Sequence, residues 1–537
     1  MNASRINSTV VWRVTGATLL ACAAVRLAVQ LHAVVGPTEW IVASLTVDDT
    51  YYYLQMAWNQ ATTGVPTFDG IHRTNGVQFL WYWWCVGLAW ISPNHDVLLR
   101  LALVSCATMN ACCFLVIWRL GRLTGGPVFA VVAALAWFMA SATVYLSGME
   151  NSLHALLLLW LVLVCTRAMR PQMRHADARS TLATVAALST LVVWTRLDSA
   201  IVAAPLFLLV AVRKPMARIS VIGPAVGIAV VGAVVMFGGY YWMAGTVIPV
   251  SGLIKTAAYE VDAARATTMF RDTLRLTSPF GGEWGLFVLG AAGMVGALAL
   301  RGRVPLATPD TSSALQVVTT LFACGLAYLI YLSGLWESHY SEWCRSPAIL
   351  GVVLFSALGI DAALRRVAAS FFAGRQSFVA LVAVGMAWIL TLPVALPALR
   401  EEWHAPREPV EGGQVLRYRT ARWIREHLPA ETILASENTG VIGFFSERRS
   451  INLDGLINNP EYARTVLGSD ERLAQYLERE RVDYLLDLDM WEWARVRWPR
   501  PDWMTRLPRI RRLLESTGVA DIGTMEVVDV RYRERAR

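Results

Sequence analysis

Apolar runs of about twenty residues recur along most of this 537-residue chain, and they leave few folds open to it. Each is long enough to cross a ~30 Å hydrocarbon core as a helix, so the chain is expected to be a polytopic α-helical membrane protein. The runs fall near residues 12–32, 97–118, 126–146, 151–167, 181–195, 198–213, 218–241, 284–300, 314–334, 346–361 and 377–397, which predicts eleven crossings. One further run, VQFLWYWWCVGLAWI at 77–91, is short and carries Trp81, Trp83, Trp84 and Trp90, the composition of an interfacial belt. Arg26 lies inside the first run and no small-x-small cleavage pattern follows, which favours an uncleaved first helix over a signal peptide.

The formal charge of +8 comes almost wholly from arginine, since Lys214 and Lys255 are the only lysines. It is spread along the chain, and nothing gathers it into a nucleic-acid-binding face. Its distribution bears instead on orientation. If the Trp-rich run does not cross, the clusters at 119/122, 167–179, 213–218, 301/303 and 365–375 fall on the side of Arg5 and Arg13, sixteen basic residues in all. The opposite loops hold seven, or eight with Arg345. If the run crosses, every later cluster faces outward, against the positive-inside rule. The expected topology has a cytoplasmic N-terminus, with 77–91 as a peripheral or re-entrant helix. The outer loops are then 33–96, 147–151, 195–199, 242–283 and 335–345, followed by the segment from 400 onward.

These loops hold the unusual polar residues. The pair Asp48-Asp49 follows a helix end and runs into TyrTyrTyr at 51–53; it reads as a general base, or as a base with a divalent cation, beside the ordinary explanation of an acidic helix start. His72, Arg73 and Asn75 follow on the same loop as candidate substrate contacts. Glu150 opens a helix, where an acidic residue also suits the helix dipole. Arg196 and Asp198 sit in a very tight turn, where a structural ion pair is the ordinary alternative. Lys255 is costly near lipid and suited to neutralising a phosphate, although an interfacial lysine can simply snorkel. His339 and Arg345 are candidates for a phosphate or a sugar hydroxyl in a Trp-anchored loop. On this topology Asp48, Asp49, Glu150, Arg196, Asp198, Lys255, His339 and Arg345 all face one compartment.

Residues 400–537 are charged and free of long apolar runs, and predict a small α/β domain outside the cytoplasm. Its expected elements are a helix at 413–427, strands at 432–436 and 450–456, a helix at 470–482 and a strand at 483–489. The preceding 1–399 form the transmembrane part. The eight cysteines lie in apolar runs or at their edges, with no metal-site or disulfide spacing. Neither G-x-x-x-x-G-K-[ST] nor H-E-x-x-H nor G-x-S-x-G occurs, which argues against nucleotide hydrolysis as an energy source.

A first crossing, an outer loop opening with an acidic pair, an interfacial helix and alternating crossings resemble the GT-C integral-membrane glycosyltransferases. Within that class, DDTYYY (48–53), TNG (74–76), GMEN (148–151), TRLD (195–198), VIPVSGLIK (247–255), SENTGVIGFF (436–445) and INLDGL (451–456) are similar to bacterial arabinofuranosyltransferases of the mycobacterial terminal-β-arabinosyl type. Leu197 and Val250 depart from that pattern, where the related enzymes tend to carry Pro and Asn. The resemblance implies a bacterial inner-membrane enzyme of cell-wall biogenesis. Its donor is a polyprenyl-phosphate sugar, arabinofuranose among the candidates, and its acceptor a polysaccharide, glycolipid or protein. Asp48 or Asp49 would take the acceptor's proton with inversion, Asp48 ranking first. Lys255, with Arg196, His339 or Arg345, would neutralise the leaving phosphate. A secondary transporter or lipid flippase is the competing class; it predicts ionisable groups at the bilayer midplane and repeat symmetry, and no repeat is visible in the sequence. A structural protein with an outer sensing domain gives no reason for so many polar loops.

Overall fold

The computed structural model describes residues 8–124, 126–143, 146–170, 175–213, 219–257, 259–277, 285–299, 309–335, 342–372, 376–407, 412–467, 470–488, 519–522 and 525–529. In chain order the helices are α1 Ser8–Val34, α2 Thr38–Ser44, α3 Asp48–Thr63, α4 Phe79–Ile91, α5 His95–Thr124, α6 Pro127–Thr143 and α7 Asn151–Ala168. Next come α8 His175–Thr195, α9 Ala200–Arg213, α10 Ile219–Ala244, α11 Val250–Lys255, α12 Ala263–Thr277, α13 Gly285–Ala299, α14 Pro309–Ser333, α15 Ser346–Phe371 and α16 Gln376–His404. The last are α17 Gly413–His427, α18 Gly440–Ser446 and α19 Asp470–Arg479.

All eleven apolar runs are helices. Seven of them, in α1, α5, α7, α10, α14, α15 and α16, have the length and hydropathy to cross a membrane; α6, α8, α9 and α13 fall short in one or the other. The 13 residues of α4 reach only ~20 Å, less than the hydrocarbon core. Absent from the sequence reading is α12, an amphipathic helix that buries Met269, Thr273, Leu274 and Thr277 at helical spacing and exposes Arg271 and Arg275.

The chain gathers into two compact units that cut across its division by composition. The first comprises Met1–Val34, Leu103–Val235 and Ala258–Ala405; the second comprises Val35–Ala102, Met236–Ala257 and Pro406–Arg537. In the first, small residues let helices meet backbone to backbone. A Cβ on Gly290 of α13 would stand 2.3 Å from Ser356 Cα of α15, and one on Gly359 would stand 2.0 Å from the Gly290 carbonyl oxygen. The costly Arg26 of α1 is compensated: it pairs with Glu402 of α16 and lies 4.4 Å from the Phe138 ring of α6.

In the second unit, β1 Ile433–Ser436, β2 Arg449–Asn452, β3 Tyr484–Leu488, β4 Val519–Ile522 and β5 Met525–Asp529 form one mixed sheet. Its order is β2-β1-β3-β5-β4, with β1 parallel to both neighbours and β5 antiparallel to β3 and β4. Alternation along the strands sends Leu434 and Leu486 to one face, against Ile424 of α17 and Ile442 of α18. Ala435, Ile451 and Leu485 go to the other, against Tyr462 and against Leu473 and Tyr476 of α19. The expected helix at 413–427 and strand at 432–436 match α17 and β1 closely. The intervening TGVIGFF folds as α18, and β2 ends at Asn452, which leaves Asp454 in the turn beyond it.

Candidate active site

Val47, extended at φ −117° and ψ 164°, precedes α3, and Gly64 ends it in the left-handed region at φ 76°. Asp48 and Asp49 therefore occupy the first turn of α3, where the helix dipole favours negative charge. The two acids differ in setting. Asp48 is buried, and both its oxygens are engaged: Gly440 N–H donates to Oδ2 at 2.8 Å and Val441 N–H to Oδ1 at 3.0 Å. The approach demands glycine, because a Cβ at 440 would stand 2.1 Å from the Asp48 carbonyl oxygen. Asp49 is half-buried.

Beside them lies a third acid that the sequence reading did not single out. Asp454 is 9% exposed and follows β2; its Oδ1 accepts the Leu456 N–H at 2.7 Å, and Tyr52 of α3 donates its hydroxyl to Oδ2 at 3.4 Å. Asn452 Nδ2 also reaches the Tyr52 oxygen at 3.4 Å. Burial, with the charges of Asp49 and Asp48 adding to it, raises the Asp454 carboxyl to about 7, although the Leu456 bond works the other way. The signal available in sequence was INLDG, a polar turn directly after a short apolar strand.

The remaining polar residues of loop 64–78 hold the backbone together. Asn75 Nδ2 donates to the carbonyls of Thr246 at 2.9 Å and Tyr240 at 3.2 Å, and its Oδ1 accepts the Val250 N–H at 3.0 Å. Asn75 thus positions the segment that leads into α11 and Lys255. Thr74 Oγ1 donates to the Asn458 carbonyl at 2.7 Å, and a Cβ on Gly76 would meet the Leu456 carbonyl oxygen at 2.0 Å. Ile254 packs against Gly455, and Lys255, half-buried, ends the same short helix. His72 bonds Asp69 through Nδ1 at 2.7 Å, and Arg449 bridges Asp69 at 3.2 Å and Glu480 at 2.6 Å. The Asp69 bond raises the His72 pKa; that same bond holds Asp69 down at about 2 in spite of its burial. Arg73 is exposed and stacks its guanidinium 5.1 Å from the Trp242 ring.

The first unit carries a separate buried network. Arg196 donates through Nη1 to Glu150 at 2.6 Å and forks onto Asp198 through Nη2 at 2.9 Å and Nε at 3.2 Å. Nε also reaches the Tyr328 hydroxyl at 3.1 Å. One helical turn beyond Glu150, His154 Nε2 meets Ser199 Oγ at 2.8 Å. Arg345 is buried, with Asp272 3.7 Å away. His339 lies outside the described residues. Among the described residues no three His, Cys, Asp or Glu side chains gather as metal ligands.

A domain of unknown function (DUF8728) matches residues 407–525. No curated protein matches the chain. Among solved structures the chain is similar to ArnT from Cupriavidus metallidurans in the apo state, with a TM-score of 0.56 and 12% identity over 95% of this chain and 97% of that one. The same protein bound to undecaprenyl phosphate gives a TM-score of 0.53 at 12% identity over the same shares. The Archaeoglobus fulgidus oligosaccharyltransferase tethered with an acceptor peptide containing the NVT sequon gives 0.52 at 12% identity, over 88% of this chain and 69% of that one. At such identities the likeness is one of fold alone.

Proposed function

We propose that this chain is an inverting GT-C glycosyltransferase that moves a sugar, with arabinofuranose the first candidate, from a polyprenyl-phosphate donor to a cell-envelope acceptor outside the cytoplasm. The observation that carries the reading is the first turn of α3, where a half-buried Asp49 stands beside the amide-bound Asp48 in the unit that also holds Lys255. The ArnT fold in its undecaprenyl-phosphate-bound form supports a lipid-phosphate donor.

The acceptor hydroxyl attacks the anomeric carbon as Asp49 takes its proton; the bond from that carbon to the phosphate oxygen breaks, and its electron pair leaves on the phosphate. Single displacement inverts the anomeric centre. Asp49 stands ahead of Asp48 as the base, because it is the less buried of the two acids. The departing phosphate needs charge neutralisation more than a proton, a role that suits Lys255. Asn75 acts at a distance, holding the segment that leads to Lys255, and His72 braces its own loop through Asp69. The testing experiment is transfer from radiolabelled polyprenyl-phospho-arabinofuranose in membranes, comparing the natural chain with Asp49→Asn and Asp48→Asn. Undiminished transfer in both variants ends the base assignment. Absence of transfer from any polyprenyl-phosphate sugar ends the enzyme reading and favours a transporter or flippase.

A further inference from the structure

Arg366, near the end of α15, is a buried cation that the proposed reaction leaves unused. It is 4% exposed, and its Nε, Nη1 and Nη2 all lack a hydrogen-bond partner among the described residues. Its direction follows from the helix. Ala348, Phe355, Gly359 and Arg366 recur at helical spacing along one face of α15. A Cβ on Gly325 of α14 would stand 3.0 Å from Ala348 Cα, the Phe355 ring stacks on Phe322 of α14 at 4.6 Å, and Gly359 meets Gly290 of α13. Arg366 therefore continues the face that packs against α13 and α14. Acids are few on these helices: α13 has none, α14 only Asp310 and α15 only Asp361. Asp361 is already engaged, since its Oδ2 accepts Arg365 Nε at 2.7 Å and its Oδ1 the Phe129 N–H at 3.3 Å. The sequence between α13 and α14 adds Arg301 and Arg303 and no carboxylate.

A guanidinium does not shed its proton, so burying it without a counter-charge is costly. The ordinary escape is to snorkel towards the headgroups, but Arg366 stays buried while Val367 beside it is 43% exposed. α15 is long and apolar enough to cross a membrane, and its candidate span runs from Ser346 to Ala369. Arg366 thus stands close to the level where hydrocarbon gives way to headgroups, at the opposite end of α15 from Arg345. We propose that Arg366 binds the phosphate of an anionic phospholipid whose headgroup enters between α13 and α14. Basic pockets between membrane helices suit such headgroups, and the guanidinium can fork onto two phosphate oxygens. Arg365 has its carboxylate in Asp361, so the surplus positive charge of the pair rests on Arg366. The lipid neutralises that charge and ties the ends of α13, α14 and α15 together. The site lies in the first unit, and its existence does not depend on the sugar-transfer reading.

The probes are dioleoyl phosphatidylglycerol, dioleoyl phosphatidylcholine and inorganic phosphate, each titrated into the purified full-length protein in detergent. Lipid bound per chain is counted by native mass spectrometry for the natural chain, Arg366→Met, Arg366→Lys and Arg122→Gln. The expected result is one phosphatidylglycerol held ~10-fold more tightly than phosphatidylcholine in the natural chain. Arg366→Met loses that preference and keeps its fold, because an apolar side chain replaces the buried charge. Arg366→Lys keeps the charge without the fork and retains part of the preference. Arg122 is exposed on α5 and controls for general attraction of anionic lipid to basic surface, so Arg122→Gln keeps the preference in full. Equal affinity for the two lipids in the natural chain overturns the proposal, as does a preference undiminished in Arg366→Met. Should Arg366→Met fail to fold, a preference undiminished in Arg366→Lys overturns it. An equal loss in Arg122→Gln also overturns it, in favour of non-specific attraction. If inorganic phosphate displaces phosphatidylglycerol and binds alone with the same dependence on Arg366, the site takes a free anion and the lipid assignment falls.

Discussion

Two groups of buried carboxylates in this chain are built in opposite ways. In the first unit Glu150 and Asp198 converge on one guanidinium, with the fork of Arg196 meeting Asp198 through two nitrogens. In the second, the groups that offset Asp48 are two backbone amides, and Asp454 is buried with the Leu456 N–H and the Tyr52 hydroxyl on its oxygens. A carboxylate that faces a buried cation is fixed in its charged form, and removing the cation strands it. Among the described residues Asp454 has no such cation, and burial raises its carboxyl to about 7. A buried carboxyl is thus a brace at Asp198, beside Arg196, and is raised towards neutrality at Asp454.

The comparison can be broken by substitution. The largest effect is expected at Asp49: Asp49→Asn should lower transfer ~10²–10⁴-fold with unfolding temperature and expression retained, as measured by donor turnover beside thermal melts. Arg196→Met should act on the fold, leaving two buried carboxylates without their cation at ~3–5 kcal/mol; a thermal melt that matches the natural chain would remove the distinction between the two groups. Asp48→Asn sharpens it further. One amide oxygen can still accept a backbone N–H, but the new NH₂ faces the other, so a loss of ~1–3 kcal/mol is expected in melts, together with a smaller fall in transfer than at Asp49.

The smallest effect is expected at the Asp69–His72–Arg449–Glu480 bridge. His72 is raised above its ordinary 6.5 by Asp69, so its contribution is full below 6.5 and is lost as pH rises through the folded value. Asp69 is held down at about 2, so its contribution is present above 3.8 and is lost as pH falls towards 2. His72→Gln should remove the alkaline-side loss, about 1 kcal/mol or less given the partial exposure of the ring, as read from unfolding midpoints across pH.

What could be read from the chain followed from local pattern. Apolar length gave the helices, alternation gave β1 to β3, and the polar loops gave Asp48, Asp49, Glu150, Arg196, Asp198 and Lys255. Roles were less legible, because they depend on partners distant in sequence. Nothing near Asp48 announces that amides at 440 and 441 will take both its oxygens. Nothing near Asn75 announces that it will span the segment before α11. Asp454 looks like a turn residue until it is buried with the Tyr52 hydroxyl of α3 against it. The polar α12 escaped notice for a different reason: it lay within a loop defined only by the apolar runs on either side.

The seat of Gly440 against Asp48 also sets a timetable. The amide that completes the acidic turn is encoded 392 residues after the carboxylate it binds. At ribosomal rates of ~5–20 residues per second, the turn waits ~20–80 s between its own emergence and the arrival of that partner. Throughout that interval the growing chain has its first acids in place and lacks the glycine, the valine and Asp454 that finish their surroundings. A chain that stops short of residue 440 lacks both amides that bind Asp48, so the setting of the first acids is finished only by the last quarter of the sequence.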